Sequence, residues 1–491
     1  MSAQNLFDLL RPPIEGCPGN IAIVAPDGQE ITYRRLGETI ACFARQARAH
    51  GVSAGQIVAV SLSHPATIIC MAVALSRIGA VAAIGDNSRN MIDAGVKLDG
   101  AISDSIDSAT DPGVIRFDQS WAAEKGEDIE IAGEVARQHG ELAFICGSSG
   151  STGERKFFTF DFAAQIARLT LQDEMHGTRH VRRLITPGIS GMWGFQNGLR
   201  TLRSGGLLTF PARNANHTVS EVDRLAIDEI MTTPNLLIDL INARAETHKL
   251  DALKRIIVGG SPASLGLLER ARQRLCAEII SAYGATETGP TAVGTLDEIS
   301  ERPGAVGKIA PWVEMRTLSR DHSVLPEGKT GRIQIRVPPQ FRPSAVISGG
   351  KTASVYDTDG WFDPGDLGWM ESGFLALEGR STDVINVGGN KVSAHRLEEF
   401  AAKSPSVVQT VVVSRKDTTG FDTVCVALIV RPSFALTVFD EKLSRRIGKN
   451  TRRRYLVLDK LPLLNSGMVD RQKVKTLFAA VTDHGARALP N

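Results

Sequence analysis

The stretch Ser148-Ser149-Gly150-Ser151-Thr152-Gly153-Glu154-Arg155-Lys156 decides how this chain is read. It follows an apolar run, Leu142-Ala143-Phe144-Ile145-Cys146, of the length of a short buried strand. Glycines let the backbone turn tightly and approach a bound anion. Backbone N–H groups, the hydroxyls of Ser149, Ser151 and Thr152, and the ammonium of Lys156 then converge on one place, as a phosphate cradle requires. The spacing is not that of a Walker loop, because no G-x-x-x-x-G-K-[ST] run occurs here. A surface loop with an incidental lysine has the same composition, so other segments must discriminate.

At 491 residues the chain has room for two or three domains. Hydrophobic content of 42% and charged content of 22% are ordinary for a globular protein. A formal charge of +2 and only 5% aromatic residues give nucleic-acid binding neither electrostatic nor stacking support. The six cysteines (17, 42, 70, 146, 276 and 425) include no C-x-x-C pair. They read as reduced residues of a cytoplasmic protein, not as a zinc site or a disulfide framework. Asp8 lies near the start, and no basic-then-apolar signal pattern surrounds it. The longest apolar run, from Ala66, is broken by Arg77, and its uncharged part is about half of a membrane span. It predicts a buried helix, Ala66 to Leu75, and then a strand, Val81 to Ile84.

Strand-like runs such as Ile57 to Val60, Leu207 to Phe210 and Arg255 to Val258 alternate with helical patterns. That alternation argues for α/β layers with largely parallel sheets. From about Ile333 the segments shorten, with Pro338-Pro339, Gly349-Gly350 and Gly365 as punctuation, which predicts a small β-rich subdomain. After Arg380 the pattern changes again: a helix from Ala394 to Lys403, strands Val407 to Val413 and Val424 to Val430, a basic helical stretch around Lys442 to Arg454, and a strand Tyr455 to Leu458. The basic stretch suits an acceptor's phosphates or simply a solvated helix face.

Three further segments settle the choice. Tyr283-Gly284-Ala285-Thr286-Glu287 follows a second apolar strand; Gly360-Trp361-Phe362-Asp363-Pro364-Gly365-Asp366 and Gly379-Arg380-Ser381-Thr382-Asp383 come later. In order and spacing they resemble the adenylate-forming superfamily of acyl-CoA synthetases, peptide-synthetase adenylation domains and firefly-type luciferases. The resemblance runs from Ile31-Thr32-Tyr33 to Asp470-Arg471. It implies an N-terminal core over 1–380, a hinge at 381–382, pivoting near Thr382, and a mobile C-terminal α+β lid over 383–491. It also implies that ATP activates a carboxylic acid as an acyl-AMP with release of pyrophosphate.

Such chemistry needs a triphosphate cradle, a divalent cation and charge for the developing oxyanions. By resemblance, Ser149, Gly150, Ser151, Thr152, Gly153 and Lys156 hold the β- and γ-phosphates, Thr286 contacts the α-phosphate and Glu287 is the Mg2+ ligand. A carboxylate is the right donor for a hard cation; an acid at a helix N-terminus is the alternative for Glu287. Tyr283, after which Gly284 lies, offers a face to adenine or fills a core. Gly260 and Ser261, after Gly259, resemble the turn beside adenine. Asp366 has two acceptor oxygens, which suits the ribose diol, or it is an aspartate of a tight turn; Arg380 resembles the arginine near the ribose. The family usually has threonine where Pro364 stands.

The larger departure is Met468. In Leu461-Pro462-Leu463-Leu464-Asn465-Ser466-Gly467-Met468 the family carries lysine after the glycine, bridging substrate carboxylate and α-phosphate. A thioether has no charge and weak acceptor capacity. Slow adenylation, another cation, or an engineered substitution are the alternatives; Lys473 and Lys475 fall on the following helix. The hinge also departs, with Thr382 and Asn386 where charged residues are common. Gly388-Gly389 resembles a loop lining the acceptor's thiol channel, and a plain β-turn has the same composition.

Thr186-Pro187-Gly188-Ile189-Ser190-Gly191-Met192-Trp193-Gly194 aligns with the family's acyl pocket. Ser190 and Gly191 stand where many acyl-CoA synthetases have histidine, which suggests room. No aspartate is present there for an α-ammonium, so an uncharged acid is favoured over an amino acid. Met192 and Trp193 are an apolar wall or core. The expected partners are a small carboxylic acid and an acceptor, most readily CoA. An amine acceptor giving an amide, and a non-catalytic nucleotide-binding protein, are the alternatives.

Overall fold

The computed structural model describes residues 4–105, 113–118, 120–123, 141–148, 155–176, 180–245, 247–275, 278–302, 304–387, 390–416, 422–449, 451–464 and 466–480. The expected phosphate-loop residues Ser149 to Gly153, and Gly388-Gly389, lie outside the described residues.

Two large sheets enclose a layer of helices. One runs, among the described residues, through Lys351–Ala353, Ala345–Ser348, Lys156–Asp161, Leu142–Ser148, Val81–Ile84, Ile57–Ser61, Gly100–Ser103 and Val114–Arg116 in spatial order. From Leu142–Ser148 onward these strands are parallel. The other has a parallel centre in the order Leu207–Thr209, Arg182–Ile185, Glu229–Thr232, Arg255–Gly259, Glu278–Ala285. Here the chain first steps to one side of Arg182–Ile185 and then to the other. The strand order therefore reverses beside that strand, where open α/β sheets leave a crevice at their carboxyl ends.

The helix Pro65–Arg77 shows why an all-apolar segment need not be a membrane span. Residues Ala66 and Ile68 to Arg77 are all buried, because the helix lies in the core formed by both sheets, with Val58, Ala82 and Phe144 of one and Ile23, Ile185 and Leu208 of the other. Among the described residues no helix is long and apolar enough to cross a membrane.

Antiparallel strands extend the second sheet through Gly289–Thr295, Ala305–Ile309, Phe374–Arg380, Asp366–Glu371, Gly331–Arg336 and Glu314–Leu318. This β-rich part has its own core around Ile333, Ile335, Val337, Phe362 and Leu375. The strands Ala345–Ser348 and Lys351–Ala353 leave it and join the other sheet, pairing with Lys156–Asp161.

Beyond Arg380 the strands Val384–Val387 and Asn390–Ser393 pair with each other, and Val407–Lys416, Asp422–Val430 and Arg453–Val457 form a sheet of their own. Ile385, Leu397, Val412, Val426 and Leu443 pack into a core that draws on this region alone. The basic run is corrected here. The helix is Leu436–Ile447, and Arg453 and Arg454 belong to a strand. Tyr455 and Val457 favour extension, and Gly448, at φ +96, stops the helix.

Candidate active site

Several parallel strands deliver their ends to one place. Leu142–Ser148 leads to the loop closed by Lys156, its antiparallel partner opposite Ser148. Arg182–Ile185 leads to Thr186, Ser190 and Trp193; Glu229–Thr232 to Thr233; Arg255–Gly259 to Gly260; and Glu278–Ala285 to Thr286-Glu287.

Tyr283 donates its O–H to Asp366 Oδ2 at 2.6 Å, and Arg380 Nε lies 3.2 Å from Asp366 Oδ1. Asp366 and Arg380 face each other across a hairpin. Gly365, at φ +78, makes the turn before them, and its N–H bonds Asp363. Pro364 takes no donor from this arrangement. Burial pushes the Asp366 carboxyl above its ordinary range, against the pull of Arg380 and of the tyrosine hydroxyl. Burial, with the neighbouring Asp366 charge, also pushes the Tyr283 phenol well up, so it is a permanent donor at neutral pH. Each Asp366 oxygen has one partner and a further lone pair, so a diol can still bind. The edge of Tyr283 is thereby committed to Asp366.

Thr286 and Glu287 occupy the tight turn of a β-hairpin between Glu278–Ala285 and Gly289–Thr295, not a helix N-terminus. The helix-dipole alternative for Glu287 is thus overturned. Gly284 serves the hairpin itself: a Cβ there would lie 2.4 Å from Gly289 O. Burial raises the Glu287 carboxyl above its usual range, while Lys156, Arg168 and Arg380 oppose the rise. A half-buried carboxylate facing cations suits Mg2+, which keeps few protein ligands and completes its shell with phosphate oxygen. Among the described residues no group of three His, Cys, Asp or Glu side chains could hold a metal alone. Glu287 would hold Mg2+ together with the oxygens of a bound triphosphate.

Trp193 lies in the first turn of the helix Met192–Arg203, with Gly191 as its N-cap. Its indole lies on the Gly259-Gly260 turn, where a Cβ on Gly259 would come 3.3 Å from it. Met192, by contrast, is buried in the core between the sheets. The floor is tight: a Cβ on Gly85 would meet Gly147 N at 2.7 Å and Ser190 O at 3.3 Å. Trp193 is held in place by its helix. On that helix Arg200 bonds Asp173 at 2.8 Å, and Thr201 bonds Arg183, which pairs with Glu229 at 2.5 Å.

The loop after Leu461 reaches into the same place. Thr233 Oγ1 donates to Gly467 O at 3.0 Å, and Gly467 has φ +77. A Cβ on Gly260 would lie 4.0 Å from Met468 Cγ and 3.9 Å from the Trp193 ring. Met468 therefore stands beside the Gly260 turn. Lys473 and Lys475 fall on the helix Arg471–Ala480. Thr382 lies in a single 3-10 turn, Ser381–Asp383, exposed and without a side-chain cap bond. Thr233, Tyr356 and Arg168 went unmarked as site residues in the sequence. Thr233-Pro234 after a buried strand was the only available signal, since an arginine on an amphipathic helix ordinarily reads as exposed.

The model of the family described as AMP-binding enzyme matches residues 93–343. The chain belongs to that family. Among its relatives are a 4-chlorobenzoate–CoA ligase of an Arthrobacter species, 25% identical and covering 97% of this chain and 96% of the relative, and an indoleacetate–CoA ligase of Aromatoleum aromaticum, 24% identical over 95% and 96%. Among solved structures, the amide bond synthetase McbA from Marinactinospora thermotolerans matches with a TM-score of 0.79 at 23% identity, covering 96% of this chain and all of that one. ATP-bound MatB from Rhodopseudomonas palustris matches with 0.82 at 19%, over 97% and 99%. Membership in the adenylate-forming superfamily makes the chain an ATP-dependent acid ligase of the AMP-forming kind.

Proposed function

We propose that this AMP-binding enzyme activates an uncharged aromatic carboxylic acid as its acyl-AMP and passes the acyl group to CoA. The observation that carries the proposal is the wall made by the Trp193 indole on the Gly259-Gly260 turn, with Met468 beside it. A flat apolar acid stacks against such a ring, and aromatic contacts add to the simple burial of area. Both curated relatives named above are ligases of ring-bearing acids. The Thr186–Gly194 segment has no carboxylate to pair with an α-ammonium.

In this scheme Asp366 and Arg380 hold the ribose, Lys156 and the loop before it hold the β- and γ-phosphates, Thr286 meets the α-phosphate, and Glu287 ligates Mg2+. Bound magnesium would supply charge neutralisation for the leaving pyrophosphate. The region after Thr382 is proposed as a lid that turns between activation and transfer, and Gly388-Gly389 as the acceptor channel.

An amine acceptor is the second possibility, and one observation favours it. The basic cluster that would meet the phosphates of CoA is largely occupied: Arg445 pairs with Glu441 at 2.5 Å, Arg453 with Asp440 at 2.7 Å, and Arg446 lies over Phe400.

The test is a panel of aryl and alkyl acids with ATP and Mg2+, followed by CoA or amines, with products identified by mass. Acid-dependent pyrophosphate release led by aryl acids, then an acyl-CoA, is expected. An amide product moves the acceptor to amines. ATP binding without acid-dependent release overturns the enzyme assignment in favour of a nucleotide-binding protein.

A further inference from the structure

We propose that Arg168 is the positioning residue of the Thr286-Glu287 turn: its guanidinium fixes that backbone so that the Glu287 carboxylate is presented to MgATP. This rests on the assignment of Glu287 to the metal.

Arg168 lies on the helix Phe162–His176 and is 1% exposed. Its NH1 donates to Thr286 O at 2.9 Å, its NH2 to Glu287 O at 2.8 Å and its Nε to Phe341 O at 2.6 Å. The group also sits over the Phe160 ring at 4.7 Å. Two successive carbonyls of a strand point in opposite directions. One planar fork can therefore take both only if the chain at 286–287 is bent out of extension. The three bonds thus select a backbone conformation as well as satisfying acceptors.

The surroundings argue for more than a staple. Among the described residues no carboxylate forms an ion pair with Arg168, so a whole positive charge is buried on three neutral carbonyls. A neutral donor would serve packing with a smaller desolvation penalty. The nearest use for the charge is Glu287, whose carboxylate Arg168 stabilises through space. Tyr356 adds a second donor to the same carbonyl, its O–H lying 2.9 Å from Glu287 O. Residues behind a metal ligand commonly change metal affinity by about 10- to 100-fold when replaced. Lysine cannot substitute fully, because its point charge cannot bridge two carbonyls as the fork does.

Arg168→Met, Arg168→Lys, Tyr356→Phe and Glu287→Gln would be compared in the full chain. Calorimetry would give ATP affinity with Mg2+ and with a chelator, alongside melting temperature and the Mg2+ dependence of pyrophosphate release. Arg168→Met should weaken MgATP about 10- to 100-fold while metal-free ATP changes little. Arg168→Lys should fall between, and Tyr356→Phe should weaken MgATP about two- to tenfold, as loss of one hydrogen bond does. Should the methionine variant fail to fold, the lysine and phenylalanine variants still decide. A drop in melting temperature with the Mg2+ effect intact would make Arg168 a core staple and overturn the proposal. If Glu287→Gln also left the Mg2+ effect intact, the metal assignment itself would fall, and the positioning role with it.

Discussion

Met468 stands at the Gly260 turn, beside Trp193, in the loop where adenylate-forming enzymes carry lysine. Both side chains are unbranched and of similar reach, and Met468 is only half-buried, so Met468→Lys should fold. Restoring the ammonium should raise acyl-AMP formation by roughly 10²–10³-fold, the scale of one focused transition-state contact. Transfer from pre-made acyl-AMP should change little. Rapid-quench measurement of the two half-reactions checks this; unchanged adenylation would mean that another cation already serves. Asp366 gives a pH prediction. Its folded pKa is raised above the ordinary 3.8, chiefly by burial. The protonated form is thus the one folding favours: the stability it contributes is complete below the unfolded pKa and is lost as pH rises through the folded one. Asp366→Asn, without ATP, should therefore melt at or above the parent at neutral pH, with the gap closing toward acid. It should bind ATP more weakly, since an amide offers the diol one acceptor oxygen instead of two. Melting curves from acid to neutral pH, with and without ATP, test both statements.

The loop carrying Gly467 is held by a few contacts. Gly467 has φ +77, and a Cβ there would fall 2.5 Å from Leu236 Cδ1 and 3.0 Å from Thr233 Oγ1. The left-handed backbone alone disfavours an L side chain by about 1–2 kcal/mol, and the clash adds to it. Gly467→Ala should lift the loop from Thr233. Adenylation should fall at least about tenfold, as expected when a positioned group is misplaced by about an ångström, while melting temperature moves by only a few degrees because no core residue is lost. A comparable loss of transfer from pre-made acyl-AMP would show that the loop serves both steps. On the opposite side of the crevice, Gly259 is needed for another reason: any Cβ would push on the Trp193 ring at 3.3 Å and on Ala282 O at 2.9 Å. The element that carries the proposed acid wall and the turn beneath it are thus mutually fitted.

Across the molecule, the cores of the two parts do not mix. Ile385, Leu397, Val412, Val426 and Leu443 form one cluster, and Val411, Val413, Cys425, Leu461 and Val474 another, both made only of residues after Asp383. Among the described residues the hydrogen bonds and ion pair that join them to the rest include Ser393 Oγ to Glu378 O at 2.7 Å, Arg396 to Glu378, Thr233 to Gly467, and Gln409 Nε2 to Asn235 O at 3.5 Å, with Met468 beside the Gly260 turn. Such an interface suits a part that moves. A chain ending at Thr382 should fold cooperatively and bind ATP, yet lose most acid-dependent pyrophosphate release. Calorimetry and the release assay would read this, and a truncated chain without a melting transition would count against a separable lid.

Much of this was present in the chain itself. Apolar period and turn residues place the helix Pro65–Arg77 and the strands Val81–Ile84, Val407–Lys416 and Asp422–Val430 within a few residues, because burial of local patterns is what defines such elements. Lys156, Thr286, Glu287, Asp366 and Arg380 were candidates through the resemblance to adenylate-forming enzymes, and the fold joins Asp366 to Arg380 and Tyr283. Other features needed the folded chain. Whether Glu287 lies on a helix or a hairpin depends on strand Gly289–Thr295 finding its partner. Met192 and Trp193 are adjacent and both apolar, yet the helix turns one into the core and the other onto Gly259. Arg168 meets Thr286 and Glu287 across a separation of over a hundred residues, and no local pattern encodes a contact whose two halves are brought together only when the sheets close around the helix between them.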